Sequence, residues 1–378
     1  MTRHGECKTP GGKLVGVDLA VEAGVLAAVR VHGDFFVEPE AAARPTLDAI
    51  AAALAGCPAD LAAGGLAARV RAAVPFGVEL VGTTPEAVAV AVRRAVTGAD
   101  DAGPSPNIER VGSLAAADIA RLTAPWRAYP WRVLPERPLS AAVNVALDEV
   151  LADQVGGGSG PPAVRFWRWA EPAVIIGRTQ SLANEVDTVA AAAAGVKIVR
   201  RMTGGGAMFL QPHGAITYSL YLPAAAADGL TVRESYEVCE AWVVAGLRSF
   251  GVDAHHVPIN DIACAEGKIG GAAQARRRGV VLHHTTLAYD MDPGDMVRVL
   301  RIGREKLRDR GTASAAKRVS PLVRQTGLSR ETIVGKLLAH FVATFGGTVG
   351  ELTAAEVRAA EALAGTKYAN PAWTADFE

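Results

Sequence analysis

A chain of 378 residues, half of them hydrophobic, has the length for two or three ordinary domains and the apolar content for at least one sizeable core, so a globular protein is expected. Lys+Arg and Asp+Glu balance at 39 each, which excludes broad attraction to nucleic acid or to an anionic membrane; any charged ligand must be met locally. No apolar run reaches the ~18–20 residues that span a bilayer, no signal-peptide pattern opens the chain, and the four cysteines lie far apart without metal-ligand spacing, so the cytoplasm is the expected compartment.

Taken in order, residues 13–31 alternate: Val15, Val17, Leu19 and Val21 share one face, Glu22-Ala23-Gly24 turns the chain, and Ala27, Val29 and Val31 resume the pattern. That predicts a β-hairpin with one buried face. Helical periods follow near 47–54, 66–74 and 85–95, giving a small α+β unit over 1–96. The polar Gly/Pro/Asp stretch beginning at Thr97 reads as a linker to about residue 124. A larger unit over 125–378 opens with Trp126 and Trp131, then a helix in which Asn144 and Asp148 sit four apart and read, on spacing alone, as a solvated face. Strands are expected at 163–169, 173–176, 196–199, 216–222 and 280–289, and a helix at 235–250. Further helices are expected near 294–309, 329–345 and 353–363. The fold class is therefore α/β (α+β), a mixed β-sheet flanked by helices and preceded by a small domain.

Two stretches carry chemistry. Arg200-Arg201-Met202-Thr203-Gly204-Gly205-Gly206-Ala207-Met208-Phe209 sets two cations and a hydroxyl before three glycines at the end of a strand. Glycines lacking Cβ let backbone N–H groups approach an anion, and guanidinium forks match phosphate or carboxylate oxygens; a tight turn between strands is the competing reading. The spacing is neither that of a Walker loop nor G-x-G-x-x-G. Asn260-Asp261-Ile262-Ala263-Cys264-Ala265-Glu266-Gly267-Lys268-Ile269-Gly270-Gly271 reads as strand, turn, strand, with Lys268 just past the turn. An ordinary surface lysine is its alternative. His283 and His284 alternate on one strand, so only one should face a site, and His284 is the candidate.

The order RRMTGGGAMF, NDIACAEGKIGGAAQ, LHHTTL resembles the lipoate–protein ligase A family within the biotin/lipoate ligase group. Asn144–Glu149, RFWRWAEPAVIIGRTQ at 165–180, Asn184-Glu185-Val186 and KYANPAWT at 367–374 look like further landmarks. ECKTPGGKLVGVDL and HGDFF in residues 6–36 resemble the ligase accessory domain, which usually follows the catalytic core and here precedes it. The resemblance implies ATP-dependent activation of lipoate or octanoate to an acyl-AMP, with Mg²⁺, and transfer to a lysine on lipoyl domains of 2-oxoacid dehydrogenase acyltransferase subunits or on the glycine-cleavage carrier protein. It assigns the adenylate contacts to Arg201, Thr203, Gly204, Gly205, Gly206, Ala207, Met208, Phe209 and Lys268, and substrate contacts to Asn260, Lys268 and His284, a turn role being the competing reading for Asn260 and Asp261. Lys268 and Asp261 would be catalytic, Asp261 orienting the incoming amine or binding Mg²⁺. Related octanoyltransferases use a cysteine thioester instead; their cysteine corresponds to the region of Ala254-His255-His256, and Cys264 reads as a strand-packing residue. An ATP-independent transferase and a non-catalytic acyl-adenylate-binding regulator are the rival readings.

Overall fold

The computed structural model describes residues 2–98, 113–291, 293–301 and 319–377. Strands Arg3–Lys8, Leu14–Glu22 and Val25–Gly33 form an antiparallel sheet, the last two being the expected hairpin. Helices Ala43–Leu54, Ala63–Ala73 and Pro85–Thr97 cover it and share its apolar core, which includes Leu19, Leu47, Ile50 and Val92. The third helix is delimited locally: Thr84 caps its N-terminus with Pro85 following, and Gly98 ends it in the left-handed region at φ 65°. Phe377, from the far end of the chain, also enters this core.

The larger unit is built on a mixed sheet of nine strands. Its central order is Asp261–Cys264, Gly267–Arg277, Val280–Ala288, Ala215–Pro223, Ala163–Trp169, antiparallel throughout, while Arg132–Leu134 and Pro138–Leu139 pair parallel to Ala163–Trp169. Helices Val232–Ser249 and Arg330–Phe345 cover one side through an aromatic core of Trp126, Trp131, Phe166, Trp242 and Phe341. A second sheet places Ala173–Ile176 between Lys197–Arg200, parallel, and Met208–Leu210, antiparallel, so the glycine loop connects its two outer strands.

Two expectations change. The helix Ala141–Gly156 has no solvated face at Asn144 and Asp148: both are 1% exposed, because the helix is packed by the main sheet and by helix Ala354–Leu363. Polar partners from the sheet, Arg165 among them, meet the pair, which spacing within one helix does not reveal. Residues Ala116–Thr123, inside the stretch read as a linker, form a helix against Val232–Ser249. The helix expected near 294–309 is seen as Pro293–Val299, and positions 302–318 lie outside the described residues. No helix among the described residues is long and apolar enough to cross a membrane.

Candidate active site

The small unit packs beside the glycine loop and is bonded to Thr179, in the segment that follows strand Ala173–Ile176. The Thr179 hydroxyl donates to the carbonyls of Gly33 and Phe35 at 3.1 and 3.2 Å, and the Gly33 N–H donates to the Thr179 carbonyl at 3.0 Å. Gly204 is where Phe36 approaches: a Cβ there would lie 2.7 Å from the ring. Gly205 sits at φ 88°, a conformation that disfavours any side chain. Of the three glycines, Gly206 lines the cleft, facing Asp34.

Two adjoining cavities follow. One, of about 380 Å³, is lined by Lys8, Lys13, Arg201, Asn260, Asp261 and Lys268 among others; the second, of about 190 Å³, is walled mainly by Phe209, Leu210, Ile269, Met291 and Val319. Ala207, Met208, Lys268, Gly271 and Met296 line both. A cationic chamber thus opens beside an apolar one, with Lys268 at the junction. Its cations Lys8, Lys13, Arg201, Lys268 and Arg301 come from both units of the fold.

Arg201 is 2% exposed, its guanidinium donating to the Thr203 hydroxyl at 3.0 Å and to the carbonyls of Ile175, Gly204 and Gly206 at 3.2, 2.6 and 3.0 Å. Burial lowers its pKa to about 10, so it stays charged at neutral pH. Its neighbour Arg200 holds the carbonyls of Gly177, Gln180 and Thr374, tying the strand end to the C-terminal segment. The Lys268 ammonium donates to Asp261 Oδ1 at 2.7 Å with the lysine half-exposed. Burial acts to raise the Asp261 pKa, but Lys268 and Lys13 outweigh it and hold the carboxyl below its ordinary value. Lys13 donates to Asn260 Oδ1 at 2.5 Å, and its burial lowers its pKa to about 8. Asp34, Glu185 and Asp261 put carboxylate oxygens around the same chamber, the donor type that Mg²⁺ takes.

Behind Arg201 runs a directed relay. Thr203 Oγ1 lies 2.9 Å from His284 Nε2, and His284 Nδ1 lies 2.8 Å from Asp148 Oδ2. Burial lowers the His284 pKa, opposed by Asp148, so the ring is neutral. A neutral ring here carries its proton on Nδ1 toward the carboxylate and accepts the threonine hydroxyl at Nε2. Asp148 Oδ1 also accepts from Arg165 at 3.1 Å, Ser219 at 2.8 Å and Tyr221 at 2.6 Å.

The structure brings Arg201, Gly206, Ala207, Met208, Asn260, Asp261, Lys268 and His284 to the cationic chamber and Phe209 to the apolar one. Thr203, Gly204 and Gly205 stand behind the wall, shaping it. Sequence reasoning missed Lys8, Lys13 and Asp34, whose signal was the Gly-Gly-Lys of ECKTPGGKL and the HGDFF run, and it gave no role to Asp148, whose signal was its place in the landmark Asn144–Glu149. Cys264 lies in the main core, 6% exposed, with its thiol toward the Gly267 carbonyl, and among the described residues neither chamber is lined by a cysteine.

Residues 140–342 match the profile of the lipoyl protein ligase A/B catalytic domain. The octanoyltransferase LipM of Kyrpidia tusciae is 34% identical over 262 residues, 62% of this chain and 94% of that protein. Lipoate-protein ligase A subunit 1 of Thermoplasma acidophilum is 29% identical over 250 residues, 63% of this chain and 93% of that protein. Among solved structures, the bi-partite lipoate protein ligase of Thermoplasma acidophilum, described with its E2 lipoyl domain, aligns at TM-score 0.57 and 28% identity over 65% of this chain and 96% of its own. A lipoate-protein ligase A bound with ATP aligns at 0.56 and 27% over 65% and 99%.

Proposed function

This chain belongs to the lipoyl protein ligase A/B catalytic-domain family, whose enzymes include lipoate ligases and octanoyltransferases, and on that premise we propose that it activates lipoate or octanoate with ATP and transfers the acyl group to a protein lysine. The observation that carries this reading is the paired chamber: fixed cations beside an apolar pocket, with no cysteine among the described residues lining either. Activation sets a carboxylate against a triphosphate, so it needs several positive charges held in place; a thioester route needs a thiolate in the site.

In this reading the acyl chain enters the pocket of Phe209, Leu210 and Met291, and its carboxylate reaches the junction at Lys268. One carboxylate oxygen attacks the α-phosphorus and pyrophosphate leaves, while Arg201, Lys13 and Lys268 balance the charge. The carrier lysine amine then attacks the acyl carbonyl, AMP departs and the amide nitrogen loses a proton. Asp261, kept ionised, orients the incoming amine. Asp261, a carboxylate of the chamber, would meet Mg²⁺ carried by the triphosphate, which shields phosphate charge when bound. Residues 3–97 act as the accessory domain, contributing Lys8, Lys13 and Asp34. The carrier is a lipoyl domain of a 2-oxoacid dehydrogenase acyltransferase subunit or the glycine-cleavage carrier protein.

The likeness to octanoyltransferases supports a second reading, transfer from an acyl carrier without ATP. Nearly two fifths of this chain has no counterpart in the Kyrpidia tusciae octanoyltransferase, which is itself matched over 94% of its length. The test is lipoate-dependent pyrophosphate release with ATP and Mg²⁺, run beside mass analysis of an added lipoyl domain. Release matched by a lipoyl mass increment is expected. Octanoyl transfer from a carrier without ATP, abolished by Cys264→Ser, would replace the proposal with the transferase reading.

A further inference from the structure

Outside the cleft, the small unit carries a cluster that neither half-reaction uses. His4, Asp18 and His32 lie on three adjacent strands of one sheet, with His4 registered opposite Asp18 and His32 opposite Gly16. His4 Nδ1 is 2.6 Å from Asp18 Oδ1, and His32 Nε2 is 3.2 Å from Asp18 Oδ2. One donor atom from each of the three residues falls within 4.8 Å of the others. Glu6 adds a carboxylate 3.2 Å from His4 Nε2. The sheet is shaped for this: a Cβ on Gly16 would sit 2.3 Å from the His32 ring, so only glycine at that position lets the imidazole lie flat beside Asp18.

The two imidazoles are inclined by 18° with centroids 5.7 Å apart. We propose that His4, Asp18 and His32 form a binding site for a divalent first-row transition cation such as Zn²⁺, a two-imidazole, one-carboxylate set on the face of the small sheet that meets the large unit. Nitrogen donors favour such a cation over Mg²⁺ or Ca²⁺. Across that face stands Asn184, whose side-chain amide nitrogen lies 3.1 Å from both Asp18 Oδ2 and His32 Nε2. This inference is independent of the acyl chemistry.

The test uses the full chain without a polyhistidine tag, stripped with chelator and titrated calorimetrically with ZnCl2, and separately with CoCl2 while the visible spectrum is recorded. His4→Ala removes the most exposed donor, and Asp18→Asn keeps the side-chain shape. One Zn²⁺ per chain, a Co²⁺ spectrum with ligand-field bands of a low-coordinate nitrogen/oxygen site, and affinity at least roughly 100-fold weaker in both variants are expected. A rise in Tm with Zn²⁺ in the unsubstituted protein, absent in His4→Ala, reads the same site without reference to activity. Absence of stoichiometric binding, or binding that survives either substitution unchanged, overturns the proposal.

Discussion

Two polar centres lie back to back in this protein, joined through His284, and they are built on opposite principles. Around Asp148 every element is closed: the carboxylate, 1% exposed, accepts from Arg165, Ser219, Tyr221 and His284. On the cleft side charge is richer: Lys268 is half-exposed, and Lys8, Lys13 and the buried Arg201 line one chamber with Asp34 and Asp261. A buried charge is tolerated when donors surround it, whereas a site for anions keeps positive charge that its own residues leave under-neutralised. The comparison teaches which polar residues hold the scaffold and which remain available to a ligand.

The largest way to break it is Asp148→Ala. Arg165 would lose its buried anion, and the cost is expected at about 3–5 kcal/mol, read as a fall in urea midpoint. A cost under about 1 kcal/mol would mean that the network is ornamental rather than structural.

Glu38 sharpens the contrast from the other direction, as a carboxyl 8% exposed whose Oε2 has no hydrogen-bond partner among the described residues. Burial pushes its pKa from 4.5 to about 8, with Arg276 opposing. The folded state therefore holds a proton that the unfolded chain has lost, so its contribution is full below pH 4.5 and disappears as pH rises through about 8. Glu38→Gln should abolish that loss. The variant's Tm should match the parent's at low pH and exceed it at pH 9 by the equivalent of up to about 4 kcal/mol; parallel Tm curves across pH would contradict the assignment.

Lys268→Ala is expected to lower acyl activation by about 10²–10³-fold, or ~2–4 kcal/mol of transition-state stabilisation, from pyrophosphate-release kinetics. Because the Lys268–Asp261 pair is partly exposed, stability should change by less than about 1 kcal/mol. An equal loss of stability and activity would merge the two centres into one. The smallest effect belongs to Cys264→Ser, since Cys264 is buried in the core and lines neither chamber. Transfer to a lipoyl domain should stay within about twofold, with at most ~1–2 kcal/mol lost from burying a hydroxyl; loss of transfer at retained Tm would argue for a thioester.

Much of the scaffold was legible in the chain. The period-two alternation of Val15–Val21 announced its hairpin, the short apolar run at 173–176 its buried strand, and the Gly-flanked turn at 265–267 the hairpin that presents Lys268. The site was legible where its residues are local in sequence, as in the strand end that delivers Arg201 to the glycine loop. It was illegible where distant segments meet. Asp148 looked like a surface residue because helical spacing describes one helix and says nothing of the layers packed on its sides.

The glycine loop marks the division. Sequence alone determined that three residues without Cβ follow two arginines at a strand end, since glycine's backbone freedom and the guanidinium charge are properties of the residues themselves. Only the tertiary structure decided their use: Gly204 receives Phe36, Gly205 turns, Gly206 faces the cleft, Arg200 holds the C-terminal segment and Arg201 charges the chamber. The reason is that close approach and burial depend on which segments, hundreds of residues apart, come to share one volume. Lys13 meeting Asn260 across 247 positions is the plainest instance, and no local pattern encodes that contact.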